Sequence, residues 1–189
     1  MGRELELKFA ATPAILETIC SDGENWTKMS MATTYFDTVD GALAAKKCTL
    51  RQRMEDEISV CTMKTPADGF GRGEWSLEAS WNEETTRALF AAAGEDDIPF
   101  EKLHPVCGAK FTRLAKTVEF SNYTVEIALD QGILSGGGRE IPLCEMEVEY
   151  KSGDENAAMA WAQNLARQYG LRQEQFSKFY RASRLAKGE

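Results

Sequence analysis

Residues 4–9 read ELELKF, so that charged and apolar side chains alternate without a break. This period of two is typical of a β-strand, whose successive side chains point to opposite faces of a sheet. The stretches LRQRM at 50–54 and CEMEVEY at 144–150 alternate in the same way. Each of these strands is therefore expected to have one apolar face and one charged face.

Further alternating stretches lie between these three and bring the expected number of strands to about eight, a usual number for a small closed barrel. They are found at 33–37, 60–64, 74–79, 116–120 and 125–130. Glycine-rich segments at 69–73 and 136–138 are expected to form turns or loops. In an open sheet the charged faces would meet solvent, whereas in a barrel they would line the lumen.

Capping signals predict the helices. Thr12-Pro13 favours a helix over Ala14–Cys20, a second helix is expected from Asn82 to Ala93, and Asp154 is expected to cap a third. A last helix is predicted over 172–186. Because strands outnumber helices and do not alternate regularly with them, the fold class is expected to be α+β and mainly β.

Length and charge restrict the functions that the chain is expected to have. Its 189 residues are expected to form a single domain, 1–189. The net charge of −8 disfavours a nucleic-acid or anionic-membrane partner. Five cysteines without CxxC spacing, no apolar leader segment and no long apolar run together predict a cytoplasmic location.

Carboxylates are concentrated on the charged faces of three strands. They are Glu4 and Glu6, then Glu126 and Asp130, and finally Glu145, Glu147 and Glu149. Rows of like charge repel one another unless water or a cation screens them. Because oxygen ligands suit hard cations, these rows favour Mg²⁺ or Mn²⁺, although a solvated acidic face explains any single row equally well.

Cations occupy the charged faces of two other strands. Arg51 and Arg53 share one face, and Lys64 lies on the next alternating segment. Guanidinium groups match phosphate oxygens bidentately, and lysine supplies a compact positive charge. Metal-binding carboxylates placed opposite phosphate-binding cations would suit a complex of a polyphosphate with a metal ion.

Ordered motifs along the chain resemble those of the CYTH superfamily, also called triphosphate tunnel metalloenzymes. They are ExExK at 4–8, LRxR at 50–53, TxK at 62–64, RxE at 72–74, ExExE at 145–149 and SK at 177–178. The resemblance implies an eight-stranded antiparallel β-barrel, or tunnel, with charged residues inside and helices packed on the outside.

The resemblance also implies roles for individual residues. Metal ligation would come from Glu4, Glu6, Asp130, Glu145 and Glu147, and triphosphate contacts from Lys8, Arg51, Arg53, Lys64, Arg113 and Lys178. Catalytic roles are expected for Glu4, Glu6, Lys8 and Glu74. Tunnel-lining positions are expected for Glu78, Glu126 and Glu149.

The segments ALDQG at 128–132 and PLCE at 142–145 look most similar to bacterial inorganic triphosphatases. The expected reaction is therefore hydrolysis of inorganic triphosphate to pyrophosphate and phosphate with Mg²⁺ or Mn²⁺. The expected partner is a small polyphosphate, and the oligomeric state stays open between monomer and dimer. Members of the family that act on thiamine triphosphate tend to carry a tryptophan just before the arginines of the LRxR strand. Here residues 48–50 are Cys-Thr-Leu, and this difference from those members favours a substrate without an organic ring.

Several other functions remain open at this point. Within the same superfamily they are a class IV adenylate cyclase and a thiamine or nucleoside triphosphatase, because the triphosphate cradle is shared. A non-catalytic polyphosphate-binding module and a purely structural barrel are alternatives outside enzyme chemistry. The reaction product separates the enzymes from one another, and the absence of phosphate release would identify a binder.

Overall fold

The computed structural model describes residues 2–66, 72–96 and 98–188, without the side chains of 2–4 and 72. Its strands are β1 (Gly2–Glu4), β2 (Glu6–Ala10), β3 (Thr27–Asp37), β4 (Thr49–Glu55), β5 (Ile58–Pro66), β6 (Arg72–Glu78), β7 (His104–Glu119), β8 (Tyr123–Gly136), β9 (Arg139–Gly153) and β10 (Arg172–Gln173). Its helices are α1 (Pro13–Ser21), α2 (Ala42–Ala45), α3 (Glu83–Ala93), α4 (Glu155–Gln168) and α5 (Lys178–Lys187), with a short 3₁₀ turn at Phe100–Lys102. Most of the turn expected at 69–73 lies outside the described residues.

The predicted helix starts are set by capping side chains. Thr12, Asn82 and Asp154 accept hydrogen bonds from backbone N–H groups at the beginnings of α1, α3 and α4. These side chains satisfy donors that the first helical turn leaves without partners. The helix predicted over 172–186 is wrong in its first part, because Arg172 and Gln173 pair with β2 and Ser177 caps α5.

All ladders between the described strands are antiparallel, and they form one sheet in the order β1-β6-β5-β4-β3-β7-β8-β9-β2-β10. The α+β, mainly β class is therefore confirmed. The expected closed barrel of eight strands is wrong in strand count and in closure. The sheet has ten described strands, of which β1 and β2 are consecutive parts of one chain pass, and nine passes result.

The N-terminal pass explains why the hydrogen-bonded order has two ends. Residues 2–4 pair with β6, while residues 6–10 pair with β9, and Leu5 separates the two ladders. The N-terminal pass thus contacts β6 with its first part and β9 with its second part. Among the described residues, the hydrogen-bonded ladder is interrupted between these two parts, so the sheet is not closed. The extra strand β10 adds only two residues outside β2.

Helices α1, α3 and α4 cover the apolar face of the sheet. One buried cluster combines α1 and α4 with strand residues such as Phe9, Leu129 and Met146. A second cluster sets α3 against β4 and β5.

Helix α5 instead packs on the charged face of β7, β8 and β9, where Ala182 clusters with Leu143, a residue that shares a strand face with Glu145. The expectation that the helices pack on the outside, away from the charged side chains, is therefore wrong for α5. Within the described residues, no helix combines the length and the apolar character needed to cross a membrane.

Gly132 allows β7 and β8 to approach closely. A Cβ atom added there would lie 2.1 Å from the backbone oxygen of Lys110 and 2.5 Å from the Cα atom of Phe111. Both neighbours belong to the backbone of β7 and cannot rotate away. The ladder that carries Arg113 and Asp130 therefore depends on this glycine.

We predict that Gly132→Ala lowers the free energy of unfolding by about 1–3 kcal/mol, because the added methyl group forces backbone shifts in a packed sheet. Chemical denaturation of both proteins measures the difference. Gly138→Ala is the matched control, since this glycine has a φ of +74° and nothing within 4 Å. Its cost should come from backbone conformation alone, at about 1 kcal/mol. Equal stability of Gly132→Ala and the parent protein would contradict the close approach.

Candidate active site

A cavity of about 360 Å³ lies on the charged face of the sheet and is lined by side chains from β2 to β9 and from α5. Its described lining contains seven cations, Lys8, Arg51, Arg53, Lys64, Arg113, Lys151 and Lys178. It contains five carboxylates, Glu6, Glu74, Glu126, Glu147 and Glu149. The described lining is thus net positive in a chain whose net charge is −8, which suits an anion.

Two arginines of β4 form the most basic part of the cavity. Arg51 and Arg53 are two residues apart on one strand face, as the alternation predicts. The Nε–H group of Arg51 is buried and has no hydrogen-bond partner within the described residues. Burial lowers the pKa of Arg53, and the positive charge of Arg51 lowers it further. An anion placed here would satisfy a donor that lacks an acceptor and would relieve the repulsion between the two side chains.

Lys64 and Glu74 stand beside the arginines on β5 and β6. The two residues are direct partners in the ladder, and Lys64 Nζ lies 3.4 Å from Glu74 Oε2. Burial alone would raise the pKa of Glu74, but the charges of Lys64 and Arg51 bring it below its ordinary value. Glu74 is therefore ionised at neutral pH and can accept hydrogen bonds in the cavity.

The acidic wall follows from the register of β2, β9 and β8. Glu6 lies opposite Glu149, and Glu149 lies opposite Glu126, so three carboxylates form one row across three strands. Lys8 Nζ is 2.9 Å from Glu6, and Lys151 Nζ is 2.9 Å from Glu149 and 3.5 Å from Glu126. These lysines partly compensate the row, which would otherwise repel itself.

A second acidic group, Asp130, Glu145 and Glu147, lies deeper, with carboxylate oxygens within 4.8 Å of one another. We call these three residues the acidic cluster. The ammonium of Lys178 lies 2.7 Å from Asp130 and 2.8 Å from Glu147, and it also contacts Glu145. Lys178 is the first residue of α5, so the helix brings a cation into the cluster.

Two arginines complete the neutralisation of the acidic cluster. Arg113 donates two hydrogen bonds of 2.7 Å to Asp130 and a third of 2.6 Å to Glu147. Arg181, one helical turn after Lys178, donates to Glu145. Three cations therefore face three carboxylates, which is the condition under which buried charge is tolerated.

The pKa values of the glutamates in the acidic cluster are shifted in opposite directions. Burial alone would raise the pKa of Glu147, but Lys178 and Arg113 hold it well below its ordinary value. Burial raises the pKa of Glu145, and the charge of Lys178 offsets only part of this rise. Burial alone would lower the pKa of Lys178, but Glu147 and Asp130 raise it above the ordinary value. The network thus stabilises Lys178 in its charged form.

The structure brings most of the predicted site residues together but separates some of them. Glu6, Lys8, Arg51, Arg53, Lys64, Glu74, Arg113, Glu126, Glu147, Glu149 and Lys178 line the cavity. Asp130 and Glu145 are fully buried behind it, and the side chain of Glu4 lies outside the described part of the chain.

The structure places Glu78 outside the described lining of the cavity, and its tunnel-lining position stays a prediction. This residue shares a strand face with Glu74, but it is exposed and does not belong to the described lining of the cavity. The reason is its position along β6, because Glu78 pairs with Val60 near the β4–β5 turn. It therefore lies beyond the rim, although its side chain has the correct direction.

Two of the cations in this region, Lys151 and Arg181, were not predicted from the sequence. Lys151 continues the alternation after Glu149 and lines the cavity. Arg181 follows the SK motif by three residues and therefore shares a helix face with Lys178. Strand alternation and helical spacing, extended by a few residues, would have identified both.

The donor chemistry of the site fits a hard divalent cation. Carboxylate oxygens of Glu6 and Glu147 are available in the cavity, and those of Asp130 and Glu145 lie directly behind Glu147. An ammonium group already lies among the three carboxylates of the acidic cluster, so this place favours positive charge. All-oxygen donors of this type are suited to Mg²⁺ or Mn²⁺.

An antiparallel sheet that carries a basic cavity and an acidic wall on one face has the charge distribution that suits a polyanion bound together with a cation. The CYTH domain family matches residues 2–183, so the chain belongs to this family and the resemblance seen in the sequence is confirmed. The chain is 32% identical to the inorganic triphosphatase of Haemophilus influenzae over 164 residues, which are 82% of this chain and 47% of that protein. The chain thus spans about half the length of this curated relative.

Solved structures share the fold. PH1819 from Pyrococcus horikoshii OT3 has a TM-score of 0.67 and 19% identity, and the match covers 98% of this chain and 99% of that one. HpAC1 from Hippeastrum, an adenylyl cyclase by name with a dominant triphosphatase activity, has a TM-score of 0.66 and 16% identity, with 96% and 95% coverage. At these identities the likeness concerns the fold alone.

We predict that Lys178→Met destabilises the protein by about 3–5 kcal/mol, because it leaves buried carboxylates without their ammonium partner. Millimolar Mg²⁺ should then raise the Tm of this variant more than that of the parent protein, since binding to the folded state is stabilising. Thermal unfolding with Mg²⁺ and with chelator measures both effects. Lys187→Met, an exposed change on the same helix, is the control. An unchanged Tm, or an equal response to Mg²⁺, would contradict a cation site in the acidic cluster.

Proposed function

We propose that the chain hydrolyses inorganic triphosphate to pyrophosphate and phosphate in the cavity, with the help of Mg²⁺ or Mn²⁺. The observation that carries this proposal is the basic wall of Arg51, Arg53 and Lys64 opposite the acidic wall of Glu6 and Glu147. A metal complex of a polyphosphate needs both kinds of wall. The relationship to a bacterial inorganic triphosphatase supports the same reaction.

The cations would bind and orient the substrate. Arg51 and Arg53 would donate hydrogen bonds to the phosphate oxygens, and the Nε–H group of Arg51 would gain the acceptor that it lacks among the described residues. Lys8 and Lys64 would neutralise charge from neighbouring strands. Phosphoryl transfer depends mainly on such positioning and charge stabilisation, so no covalent nucleophile is required.

Glu74 would orient the attacking water. Its lowered pKa keeps it ionised, and it lies beside Lys64 at the basic end of the cavity. Water would attack the terminal phosphorus, the anhydride bond would break, and its electron pair would remain on the pyrophosphate. Lys8 and the arginines would stabilise the negative charge that develops on the oxygen atoms in the transition state.

A divalent cation would be held by Glu6 and Glu147, with Glu4 as a further ligand expected from the ExExK motif. It would supply charge neutralisation on the phosphate oxygens and activation of water. Asp130 and Glu145 are fully buried behind the cavity and contact the cations of the network. We therefore assign Asp130 and Glu145 mainly to positioning Lys178, Arg113 and Arg181.

Phosphate release from tripolyphosphate, ATP and thiamine triphosphate, with Mg²⁺, Mn²⁺ and chelator, tests the proposal. Tripolyphosphate should give the highest kcat/KM, and Arg51→Ala should lower it on the order of a hundredfold through the loss of a charge-stabilising donor. Arg87→Ala, which removes an exposed arginine of α3, is the control. Cyclic AMP formed from ATP, without phosphate release from tripolyphosphate, would refute triphosphatase activity.

We also predict that Glu6→Gln weakens the metal dependence of the reaction, because an amide oxygen is a poorer ligand than a carboxylate. The Mg²⁺ concentration for half-maximal rate should rise at least about tenfold, which corresponds to about 1.4 kcal/mol of lost binding. Glu78→Gln makes the same charge change beyond the rim of the cavity and should leave the Mg²⁺ dependence unaltered. Identical Mg²⁺ titrations for Glu6→Gln and the parent protein would remove Glu6 from the metal site.

A further inference from the structure

A second cavity, of about 840 Å³, opens beside the first one, between α5 and the segment 44–49. We call this second cavity the vestibule. The two cavities share four lining residues, Lys8, Thr49, Ser177 and Phe179. The two cavities therefore adjoin at these four residues.

The vestibule is basic. Its described lining includes Lys8, Lys47, Arg184 and Lys187, and no aspartate or glutamate is found among these described lining residues. The first cavity, in contrast, sets its cations opposite carboxylates. In a chain with a net charge of −8, this excess of cations among the described lining residues of the vestibule favours a ligand with negative charge along its length.

Helix α5 carries two of these cations, Arg184 and Lys187. Tyr180, Arg184 and Lys187 follow one another at intervals of four and three residues, so they share the helix face that lines the vestibule. Lys178 and Arg181 lie on another face and are fastened to the acidic cluster. The ion pairs that hold the helix on the sheet thus also fix the wall of the vestibule.

We propose that the vestibule binds the distal phosphates of linear polyphosphates longer than tripolyphosphate, while their terminal phosphates occupy the first cavity. The position of cleavage in this proposal rests on the proposed function. Lys8 lines both cavities and makes the row of cations continuous. Water would attack the terminal phosphorus, phosphate would leave, and the shortened chain would keep the electron pair of the broken anhydride bond.

Aromatic side chains in the vestibule suggest a nucleoside as the competing ligand. Phe176 and Tyr180 are stacked on each other, with centroids 4.6 Å apart and an interplanar angle of 14°. Each ring therefore already covers one face of the other. Charge is the more selective feature of this wall, and it favours further phosphates over a base.

Calorimetric titration with tripolyphosphate and with linear pentapolyphosphate, both in chelator, tests the proposal without turnover. The parent protein should bind the longer chain about tenfold more tightly, as expected from two additional exposed ion pairs. The double variant Arg184→Ala with Lys187→Ala should lose this difference. Arg87→Ala with Lys102→Ala removes the same charge from exposed positions elsewhere and should retain it.

Equal affinity of the parent protein for the two chain lengths would overturn the proposal. So would a difference that persists in the vestibule variant, or an equal loss in the control variant, which would indicate net charge alone. If the vestibule variant weakens ATP binding and leaves the chain-length difference intact, the vestibule accepts a nucleoside and the proposal fails. Absence of phosphate release with Mg²⁺ would refute the proposed function alone, because the titration does not depend on hydrolysis.

Discussion

The neutralisation of the acidic cluster is the interaction on which the rest of the structure depends. Asp130 and Glu145 are fully buried, and burial of an ion without a partner costs several kcal/mol. Arg113, Lys178 and Arg181 balance them at hydrogen-bonding distance. Because two of these cations lie on α5, the same ion pairs dock the helix, close one side of the cavity and shape the vestibule beside it.

The carboxylates have two different roles, which follow from their depth relative to the cavity. Those that reach the cavity, such as Glu6 and Glu147, can meet a ligand or a metal ion. Those behind it stabilise the protein's own cations. Glu145 and Glu147, for example, lie two residues apart on β9, but only Glu147 lines the cavity. The difference between a binding role and a structural role therefore comes from burial and not from residue type.

The sequence alone was sufficient for much of this picture. Alternation placed Arg51, Arg53 and Glu6 on charged faces, because side-chain direction is a local property of a strand. Depth within the fold is not local. Burial of Glu145 depends on α5, which lies more than thirty residues later in the chain, and the exposure of Glu78 depends on where the β4–β5 turn falls. The open margin of the sheet depends on the break at Leu5, which the alternating pattern does not reveal.

The pairing of the N-terminal pass has a consequence for the order of events during synthesis. Leu7 lies opposite Val148, so β2 is synthesised about 140 residues before the strand with which it forms its ladder. Contacts between such distant parts of a chain are slow to form, because a long loop must close first. A nascent chain that has not yet reached β9 therefore carries β2 as an alternating strand without this ladder, exposed to any other strand edge that it meets.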